Sequence, residues 1–298
     1  MSVQDTSDDA LLAVVRELVP AFCSKQTIRS RTSFVLCGSV DGTAAVAKVR
    51  LPDWRQHCLR EIEVYRHFAE RPAPVRTPAL IAADPGRGVL VVEQVPASPL
   101  DSERHPTTPL AEDDLTDLLA ALGRIATWSP PEGTGWSVDY RPLIALAQER
   151  QMLDDHDRAA MERLVERAGP RREFGHGDPA LANVLRADGE LWFIDWACAD
   201  AFLPGFDLAQ LWVLLGRVTG GREAIDRVIA AGGADLARGF VVNLTLLMAR
   251  EIRGVSRRVD RYPDDTDARE RLVSLRGAWS GVLERMRQDA AGAGPLGG

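Results

Sequence analysis

The sequence predicts an α+β protein with two lobes: a small N-terminal lobe built on an antiparallel sheet, and a larger, mainly helical C-terminal lobe. With 298 residues, of which 45% are hydrophobic, the chain can bury cores for both. Alternating strand patterns dominate the first part of the chain, and helical periodicity dominates nearly everything after the break PASP at residues 96–99. We therefore expect an N-terminal lobe over residues 1–95, followed by a hinge and C-terminal lobe over residues 96–298.

The N-terminal lobe is expected to begin with a helix and to continue as a meander. Ser7 before DDALLAVVRELV is typical of a capped amphipathic helix with carboxylates in its first turn. Three strands follow, in KQTIR, SFVLCGS and TAAVAKVRL, and Asp41-Gly42 favours a tight hairpin between the last two. A helix at about 56–69 then precedes two strands at about 78–83 and 89–93.

The C-terminal lobe is expected to hold seven helices and one strand-containing segment. The helices are predicted at residues 112–128, 142–154, 158–168, 207–218, 224–231, 236–259 and 266–291. The strand-containing segment is 174–194, which ends in the strand LWFID. The small, glycine-rich end of the chain, residues 291–298, is expected to be disordered.

Composition narrows the class of partner. The net charge of −7 argues against a nucleic-acid partner, whose phosphates require a basic surface. An acidic N-terminus and the lack of any apolar run of roughly 18 residues predict a cytoplasmic protein without a membrane anchor. The four cysteines occur singly, which indicates neither a zinc site nor a disulfide framework. A monomer and a homodimer both fit this composition.

The segment FGHGDPALANVL, residues 174–185, places polar side chains inside an apolar stretch. Asp178 and Asn183 lie in it, and Asp195 ends the following strand LWFID. Carboxylate and amide oxygens are hard ligands of the kind that hold Mg²⁺, and Asp178 would stand apart as a proton acceptor. Phosphoryl transfer needs both functions. The spacing HGD, four residues, then Asn matches the protein-kinase catalytic loop H-R-D-x-x-x-x-N, with glycine replacing the arginine.

Such chemistry also needs a lysine that holds the nucleotide phosphates and a helix glutamate that holds the lysine. Lys48, one of two lysines in the chain, lies in VAKV on the third predicted strand. In the helix LREIEVYRHF, Glu61 shares one face with Cys58 and Tyr65, whereas Glu63 lies on the polar face. We therefore predict an ion pair between Lys48 and Glu61.

With these parts in place, the chain resembles the aminoglycoside phosphotransferase family. This family is a branch of the protein-kinase-like fold whose members phosphorylate hydroxyls of antibiotics and of metabolites such as choline or homoserine. The resemblance covers about residues 29–212 and rests on HGDPALAN, FIDWACADAFLPGFDLA, LREIEVYRHF and VVEQVPASPL. It implies a bilobal protein-kinase-like fold and an O-phosphotransferase that uses Mg²⁺ and either ATP or GTP.

The resemblance also implies roles for individual residues. Asp178 would be the catalytic base, Asn183 and Asp195 would hold magnesium, and Lys48 with Glu61 would position the α- and β-phosphates. Two further residues would support the catalytic loop. Asp207 would brace it through backbone amides, with an ordinary helix N-cap as the alternative, and His176 is favoured as a packing and hydrogen-bonding residue over a general base.

Further nucleotide contacts are expected in the N-terminal lobe. The segment from Glu93 to Val95 resembles the hinge, whose backbone groups would bind the nucleobase edge. The loop SRTS contains no glycine, so Ser30, Arg31 and Thr32 would cap the phosphates together with the backbone. The alternative for this loop is a solvated turn.

Acidic side chains of the C-terminal lobe would suit a polycationic aminoglycoside. The candidate substrate contacts, including one tryptophan that follows a predicted metal ligand, are Glu149, Asp154, Asp155, Asp157, Asp264 and Trp196. The alternatives, which we favour, are a helix cap for DDHD, a surface loop for PDDTD and core packing for the tryptophan.

The expected function is transfer of the γ-phosphate of ATP or GTP to a hydroxyl of a small molecule. An aminoglycoside comes first and other hydroxylated antibiotics next, with resistance by inactivation as the outcome. A kinase of a small metabolite and a catalytically silent kinase-like binding protein are the alternatives. Because every expected catalytic position is filled, an active enzyme is favoured. Protein-kinase activity is disfavoured, since HGD replaces HRD and no APE-like segment follows FIDW.

Overall fold

A computed structural model describes residues 7–30 and 32–292 of the chain. These residues form two compact units. The first contains the described residues up to Leu100 together with Asn183–Ala199, and the second contains Asp101–Ala182 together with the described residues from Asp200 onwards. An antiparallel sheet dominates the first unit and helices dominate the second, which confirms the predicted α+β class.

The first unit is built on a five-stranded antiparallel sheet. Its strands and helices are α1 (Asp8–Leu18), β1 (Phe22–Arg29), β2 (Ser33–Val40), β3 (Thr43–Arg50), α2 (Arg55–Glu70), β4 (Leu80–Asp84) and β5 (Val89–Glu93). The strand order is β1-β2-β3-β5-β4, and every neighbouring pair is antiparallel. The Ser7 hydroxyl caps α1 by accepting the N–H of Ala10 at 3.2 Å. The meander, the hairpin and both helices predicted for this part of the chain are thus confirmed.

Strand β3 has two faces with different environments. Ala47 and Val49 are buried in a core that also contains Val15 of α1. Because side chains alternate along a strand, Lys48 and Arg50 point to the opposite face. This alternation places two cationic side chains next to each other on one face of the sheet.

A second, three-stranded sheet completes the first unit. Its strands are β6 (Ser98–Pro99), β8 (Val184–Ala187) and β9 (Glu190–Phe193), in the order β6-β8-β9. The β8–β9 hairpin belongs with the N-terminal strands because backbone bonds hold it there: Leu100 donates to Val184 at 2.8 Å and Phe193 donates to Arg76 at 2.8 Å. The predicted lobes, residues 1–95 and 96–298, instead group this hairpin with the helical part of the chain. That division into lobes stays a prediction.

The second unit is mainly helical. Its described helices are α3 (Glu112–Thr127), α4 (Tyr140–Glu149), α5 (Asp155–Ala168), α6 (Phe206–Leu214), α7 (Gly221–Ala231), α8 (Gly233–Arg261) and α9 (Thr266–Ala291). Helix α8 is central, since it packs against α4, α5, α6, α7 and α9. Strands β7 (Glu173–Gly175) and β10 (Asp200–Phe202) pair antiparallel. Strand β10 was not predicted, because three residues are too few for an alternating pattern.

The end of the chain differs from the prediction of a disordered tail over residues 291–298. Ala291 is the last residue of α9, and Gly292 is its C-cap in the left-handed conformation at a φ of 84°. Such a conformation favours glycine, which explains why the helix ends there. Residues 293–298 lie outside the described residues. Among the described helices, none is long and apolar enough to cross a membrane.

Candidate active site

The predicted ion pair between β3 and α2 is present in the first unit. The Lys48 Nζ lies 2.7 Å from the Glu61 Oε1, and only 1% of the Glu61 side chain is exposed. Glu63, on the other face of α2, is exposed as predicted. Burial alone would lower the pKa of Lys48, but the carboxylates of Glu61 and Asp195 raise it above its ordinary value. Lys48 is therefore a fixed cation on this face of the sheet.

Arg50 is a second buried cation at this site, and the sequence reasoning gave it no role. Its Nη2 lies 3.0 Å from the Glu61 Oε2 and 2.9 Å from the Asp195 Oδ1. Its Nη1 donates to the Thr32 Oγ1 at 3.3 Å. The side chain is only 6% exposed. The available signal was its position two residues after Lys48, which places both side chains on one face of the strand.

Asp195 follows β9 in a left-handed conformation, with φ 64° and ψ 61°. A non-glycine residue in this region costs about 1–3 kcal/mol and persists only where its surroundings impose the conformation. Here the carboxylate is held from two sides, since its Oδ1 lies 3.0 Å from the Lys48 Nζ and 2.9 Å from the Arg50 Nη2. Lys48, Arg50, Glu61 and Asp195 thus form a cross-linked cluster of two cations and two carboxylates, which we call the lysine cluster.

Asn183, the other predicted magnesium ligand, lies at the same open end of the β8–β9 hairpin as Asp195. Its backbone carbonyl accepts the N–H of Ile194, the residue before Asp195, at 3.0 Å. An amide oxygen and a carboxylate oxygen from paired hairpin ends are donors that suit Mg²⁺, with phosphate oxygens and water completing its shell. No group of three or more His, Cys, Asp or Glu residues placed to hold a metal occurs in the described ranges.

In the second unit, Asp178 is held by two side chains that the sequence did not indicate. Arg104 binds its carboxylate through both guanidinium nitrogens, at 3.0 Å and 2.8 Å. The Gln210 Nε2 donates to the Asp178 Oδ1 at 2.7 Å. Arg104 lies in the irregular segment before α3, where no periodicity directs a side chain. Gln210 could have been found, because it lies three residues after Asp207 on α6 and so shares its face.

The loop that carries Asp178 is fixed from below by Asp207. The Asp207 carboxylate accepts the backbone N–H groups of His176 at 2.7 Å and of Gly177 at 2.9 Å. This confirms the predicted bracing through backbone amides over the alternative of a helix cap, because Gly205 occupies the N-cap position of α6. Burial raises the pKa of Asp207, and His176 and the two amides oppose the shift.

The remaining residues of the HGD motif have structural explanations. His176 is fully buried, and its Nδ1 lies 3.3 Å from the backbone nitrogen of Asp178. The packing and hydrogen-bonding role predicted for His176 matches this position. Gly177 has a φ of 80°, a left-handed conformation that an arginine side chain would strain. The backbone at this loop therefore explains why glycine occupies the position that protein kinases fill with arginine.

The predicted nucleotide contacts outside the lysine cluster lie in two turns of the first unit. The Ser30 hydroxyl accepts the N–H groups of Thr32 at 3.2 Å and of Ser33 at 3.0 Å, so it closes its own turn. Arg31 lies outside the described residues. In the hinge segment, the N–H of Glu93 donates to Ala79, and the carbonyl of Val95 accepts from Ala97. The nucleotide-binding roles of Ser30, Thr32, Glu93 and Val95 stay predictions.

The acidic candidates for substrate binding at the start of α5 have structural partners. Asp154 is the N-cap, and its side chain accepts the N–H of Asp157 at 2.7 Å. Asp157 is buried and pairs with Arg287 at 2.7 Å, and Asp155 accepts from the Gln148 amide at 2.6 Å. The helix-cap interpretation of DDHD is therefore confirmed.

Of the other three substrate candidates, two are exposed and one is buried. Glu149 is exposed at the end of α4 and Asp264 in the turn before α9, and their substrate roles stay predictions. Trp196 is fully buried, which confirms the favoured core packing, so its alternative role as a substrate contact is wrong. Its Nε1 donates to the Thr77 hydroxyl at 3.2 Å, and its ring packs edge-on against Phe68. The left-handed backbone at Asp195 turns the chain so that Trp196 enters the core of the first unit.

Structural comparison identifies similar folds among solved enzymes. A thermostable mutant of aminoglycoside phosphotransferase APH(4)-Ia, in a ternary complex with ADP and hygromycin B, matches with a TM-score of 0.60 at 15% identity over 94% of this chain and 99% of that chain. A choline/ethanolamine kinase family protein from Mesorhizobium loti matches with a TM-score of 0.59 at 17% identity, over 88% and 92% of the two chains. Macrolide 2′-phosphotransferase MphH from Brachybacterium faecium gives 0.59 at 17% identity, over 90% and 98%.

These structural matches confirm the predicted fold and leave the acceptor open. A search of curated protein sequences finds no significant match. The model of the phosphotransferase enzyme family, APH, matches residues 26–239, which include Lys48, Asp178, Asn183 and Asp195. Because the match spans well over half of the chain and contains the lysine cluster and Asp178, the chain belongs to the phosphotransferase enzyme family.

Proposed function

We propose that this phosphotransferase moves the γ-phosphate of ATP or GTP to a hydroxyl group of a small molecule. The observation that carries the proposal is the lysine cluster, in which buried Glu61 fixes the Lys48 Nζ at 2.7 Å while Asp195 lies 3.0 Å from the same cation. A fixed cation next to a carboxylate suits the binding of nucleotide phosphates with a divalent metal. A relative of the same fold binds ADP together with hygromycin B, a nucleotide and an antibiotic.

In this proposal the first unit holds the nucleotide. Lys48 would bind oxygens of the α- and β-phosphates, and Glu61 would keep its side chain from turning away. Asn183 and Asp195 would hold Mg²⁺, which offsets the charge that collects on the phosphate oxygens when it is bound. Glu93 to Val95, with Ser30, Arg31 and Thr32, would contact the base and the phosphates.

In the second unit, Asp178 would act as the base. The acceptor hydroxyl oxygen forms a bond to the γ-phosphorus, the bond from the γ-phosphorus to the β,γ-bridging oxygen breaks, and the hydroxyl proton passes to the Asp178 carboxylate. The nucleoside diphosphate leaves with the bridging oxygen. Asp207 serves this step by fixing the loop, because its bonds to two successive N–H groups restrict the position of Asp178.

An antibiotic acceptor, with resistance by inactivation in the cytoplasm, remains part of the proposal. Three of the carboxylates that favoured a polycationic aminoglycoside are occupied in or beside the cap of α5, however. A small metabolite is therefore the second candidate, and the similarity of fold to a choline/ethanolamine kinase family protein supports it.

The test is phosphate transfer by the purified chain. The chain is incubated with Mg²⁺ and either ATP or GTP across a panel of hydroxylated antibiotics and metabolites, and phosphorylated products are measured by mass spectrometry. We expect product with at least one acceptor and about 10²- to 10⁴-fold slower turnover in Asp178→Asn. Asp188→Asn is the matched control, because Asp188 is exposed at the β8–β9 turn with a φ of 51° that asparagine also tolerates. Normal turnover in Asp178→Asn would overturn the assignment of the base.

A further inference from the structure

Three arginine side chains from different parts of the second unit are linked by contacts that begin at Asp178. Arg104 binds the Asp178 carboxylate through both guanidinium nitrogens. Arg217, just after α6, donates from its Nη2 to the backbone carbonyl of His105, the residue next to Arg104, at 3.3 Å. Arg271 of α9 completes the group. We call Arg104, Arg217 and Arg271 the arginine cluster.

A glutamate on α8 joins the third member to the other two. Glu251 forms an ion pair with Arg271, and its Oε1 lies 3.8 Å from the Nε2 of His105. The chain of contacts therefore runs from the Asp178 carboxylate through Arg104 and His105 to Glu251 and Arg271.

The positive charge of Arg217 is not balanced at the same depth. The other two arginines have less exposed partners, since Asp178, at 23% exposure, binds the half-exposed Arg104 and Glu251, at 21%, binds Arg271. Arg217 is 17% exposed, whereas its partner Asp267 is 65% exposed and its more distant partner Glu270, at 3.9 Å, is exposed too. Exposed carboxylates are strongly screened by water, so they neutralise a buried guanidinium poorly. Nearby Arg258 has its own partner, Asp265, at 2.7 Å.

The pKa values of two groups near these arginines are lowered. Burial, with Arg104 and Arg217 adding repulsion, lowers the pKa of Arg271 to about 9. Burial and the neighbouring arginines, Arg271 first, lower the pKa of His105 to about 2, so this imidazole is neutral. The Nε of Arg217 is buried and has no hydrogen-bond partner within the described part of the chain. A buried N–H donor that lacks an acceptor and lies in a positive environment can bind an anionic oxygen.

We propose that the arginine cluster is part of the acceptor site, and that the acceptor carries an anionic oxygen group, a carboxylate or a phosphate, near the hydroxyl that is phosphorylated. This inference rests on the proposed function. The planar guanidinium of Arg104 matches either anion with two parallel hydrogen bonds, as it now matches Asp178. When the acceptor binds, Arg104 transfers from Asp178 to the acceptor anion and leaves the carboxylate to accept the hydroxyl proton. A polycationic acceptor meets repulsion from the same three side chains.

The first experiment measures anion binding without an acceptor. The chain is saturated with Mg²⁺ and AMP-PNP, so that the nucleotide phosphate site is filled, and inorganic phosphate and acetate are titrated in separate arms at constant ionic strength. Thermal unfolding reports binding. We expect a saturable rise in Tm with at least one anion, and the arm that responds identifies the class of anion.

Variants locate the binding. Arg104→Gln, at a half-exposed side chain whose loss leaves the core intact, should weaken the anion by about 10-fold or more. Arg217→Lys should keep part of the affinity because it keeps the charge. Arg238→Gln is the control, since Arg238 lies elsewhere on α8 and pairs with Asp235. Absence of a saturable response in the intact chain, or an equal response in Arg104→Gln, would overturn the inference.

The second experiment separates this inference from the proposed function. D-glucose, D-glucuronate, D-glucose 6-phosphate and D-glucosamine present one scaffold in neutral, carboxylate, phosphate and cationic forms, and they are assayed beside hygromycin B in the acceptor panel. We expect anionic acceptors across the panel to have the highest kcat/KM, and Arg104→Gln to raise their KM by about 10-fold. Transfer that favours neutral or cationic acceptors would overturn the inference and keep the phosphotransferase. Transfer to no acceptor would remove both.

Discussion

The lysine cluster and the surroundings of Asp178 differ in how their charges are balanced. In the first unit, Lys48 and Arg50 meet Glu61 and Asp195, so each buried cation contacts both carboxylates. Around Asp178 in the second unit, Arg104 and Arg271 have partly buried carboxylate partners, but the partners of Arg217 are exposed. A cross-linked buried cluster is costly to break, whereas a guanidinium without an inner partner can bind a charged ligand. In the proposed function, this difference fits a rigid nucleotide-binding part and a rearrangeable acceptor part.

The largest effect on stability is expected from breaking the balanced cluster. In Glu61→Gln, the buried carboxylate that pairs with Lys48 and Arg50 is lost, and two cations are left with Asp195 alone. We expect the free energy of unfolding to fall by about 3–5 kcal/mol, as measured by urea denaturation. Glu63→Gln on the exposed face of α2 is the matched control and should change stability by less than about 0.5 kcal/mol. A loss as small as that in the control would show that the cluster is not rigid.

Removing the brace of the catalytic loop is expected to have the next largest effect. Asn at position 207 keeps one oxygen, so Asp207→Asn leaves either the His176 or the Gly177 N–H without its acceptor. We expect a stability loss of about 1–3 kcal/mol together with slower turnover. Asp188→Asn is again a suitable control, since Asp188 is exposed at the β8–β9 turn. Unchanged turnover in Asp207→Asn would show that phosphate transfer does not depend on the contacts of Asp207 with the loop.

Substitution of Arg50 tests whether the lysine cluster needs the several contacts of the guanidinium group or only its positive charge. Lysine at this position keeps the charge but cannot contact Glu61, Asp195 and Thr32 at the same time. We expect Arg50→Lys to lower the free energy of unfolding by roughly 1–2 kcal/mol. Arg76→Lys, at an exposed pair with Glu190, should be nearly neutral by the same urea assay. Equal stability of the two variants would contradict a geometric role.

The pH dependence of stability should reveal the positive environment of the arginine cluster. His105 has a folded-state pKa of about 2 against an ordinary value of 6.5, so between these values the unfolded chain binds more protons than the folded chain. Stability therefore falls as the pH drops below 6.5. His105→Gln should remove this component, about 1 kcal/mol per pH unit between pH 6 and pH 5. His156→Gln, at an exposed position of α5, should keep the wild-type slope, and a shared slope for all three chains would contradict the account.

The elements and the Lys48–Glu61 ion pair could be predicted because local periodicity determines them. Alternation along β3 places Lys48 on the face opposite Ala47, and helical spacing in α2 turns Glu61 inward and Glu63 outward. The same alternation included Arg50, whose role still went unrecognised because a second cation on the strand is not part of the kinase pattern. Local spacing thus predicts which face of its element a side chain occupies. Its contact partners can be predicted only when they too lie on an element with a regular period.

Arg104, which binds Asp178 through both guanidinium nitrogens, could not be predicted, since it comes from a distant, irregular part of the chain. Arg104 lies 74 positions before Asp178 in a segment without periodicity, and only the tertiary fold brings the two together. The backbone conformation at Asp195 could not be predicted either. Core packing of Trp196 was the favoured expectation, and the left-handed backbone of Asp195 accompanies its entry into the core. Neither the loop contact nor the backbone reversal has a signature in spacing or composition.

The division of roles between the two clusters is tested most directly by one measurement on Asp178→Asn: its affinity for Mg²⁺–ATP by isothermal titration calorimetry, beside its rate of phosphate transfer. We predict a Kd within about twofold of the unmodified chain and a rate lower by about 10²-fold or more. Lys48→Met, assayed in parallel, should lose nucleotide affinity instead. Loss of nucleotide binding in Asp178→Asn, or transfer at the normal rate, would contradict the account.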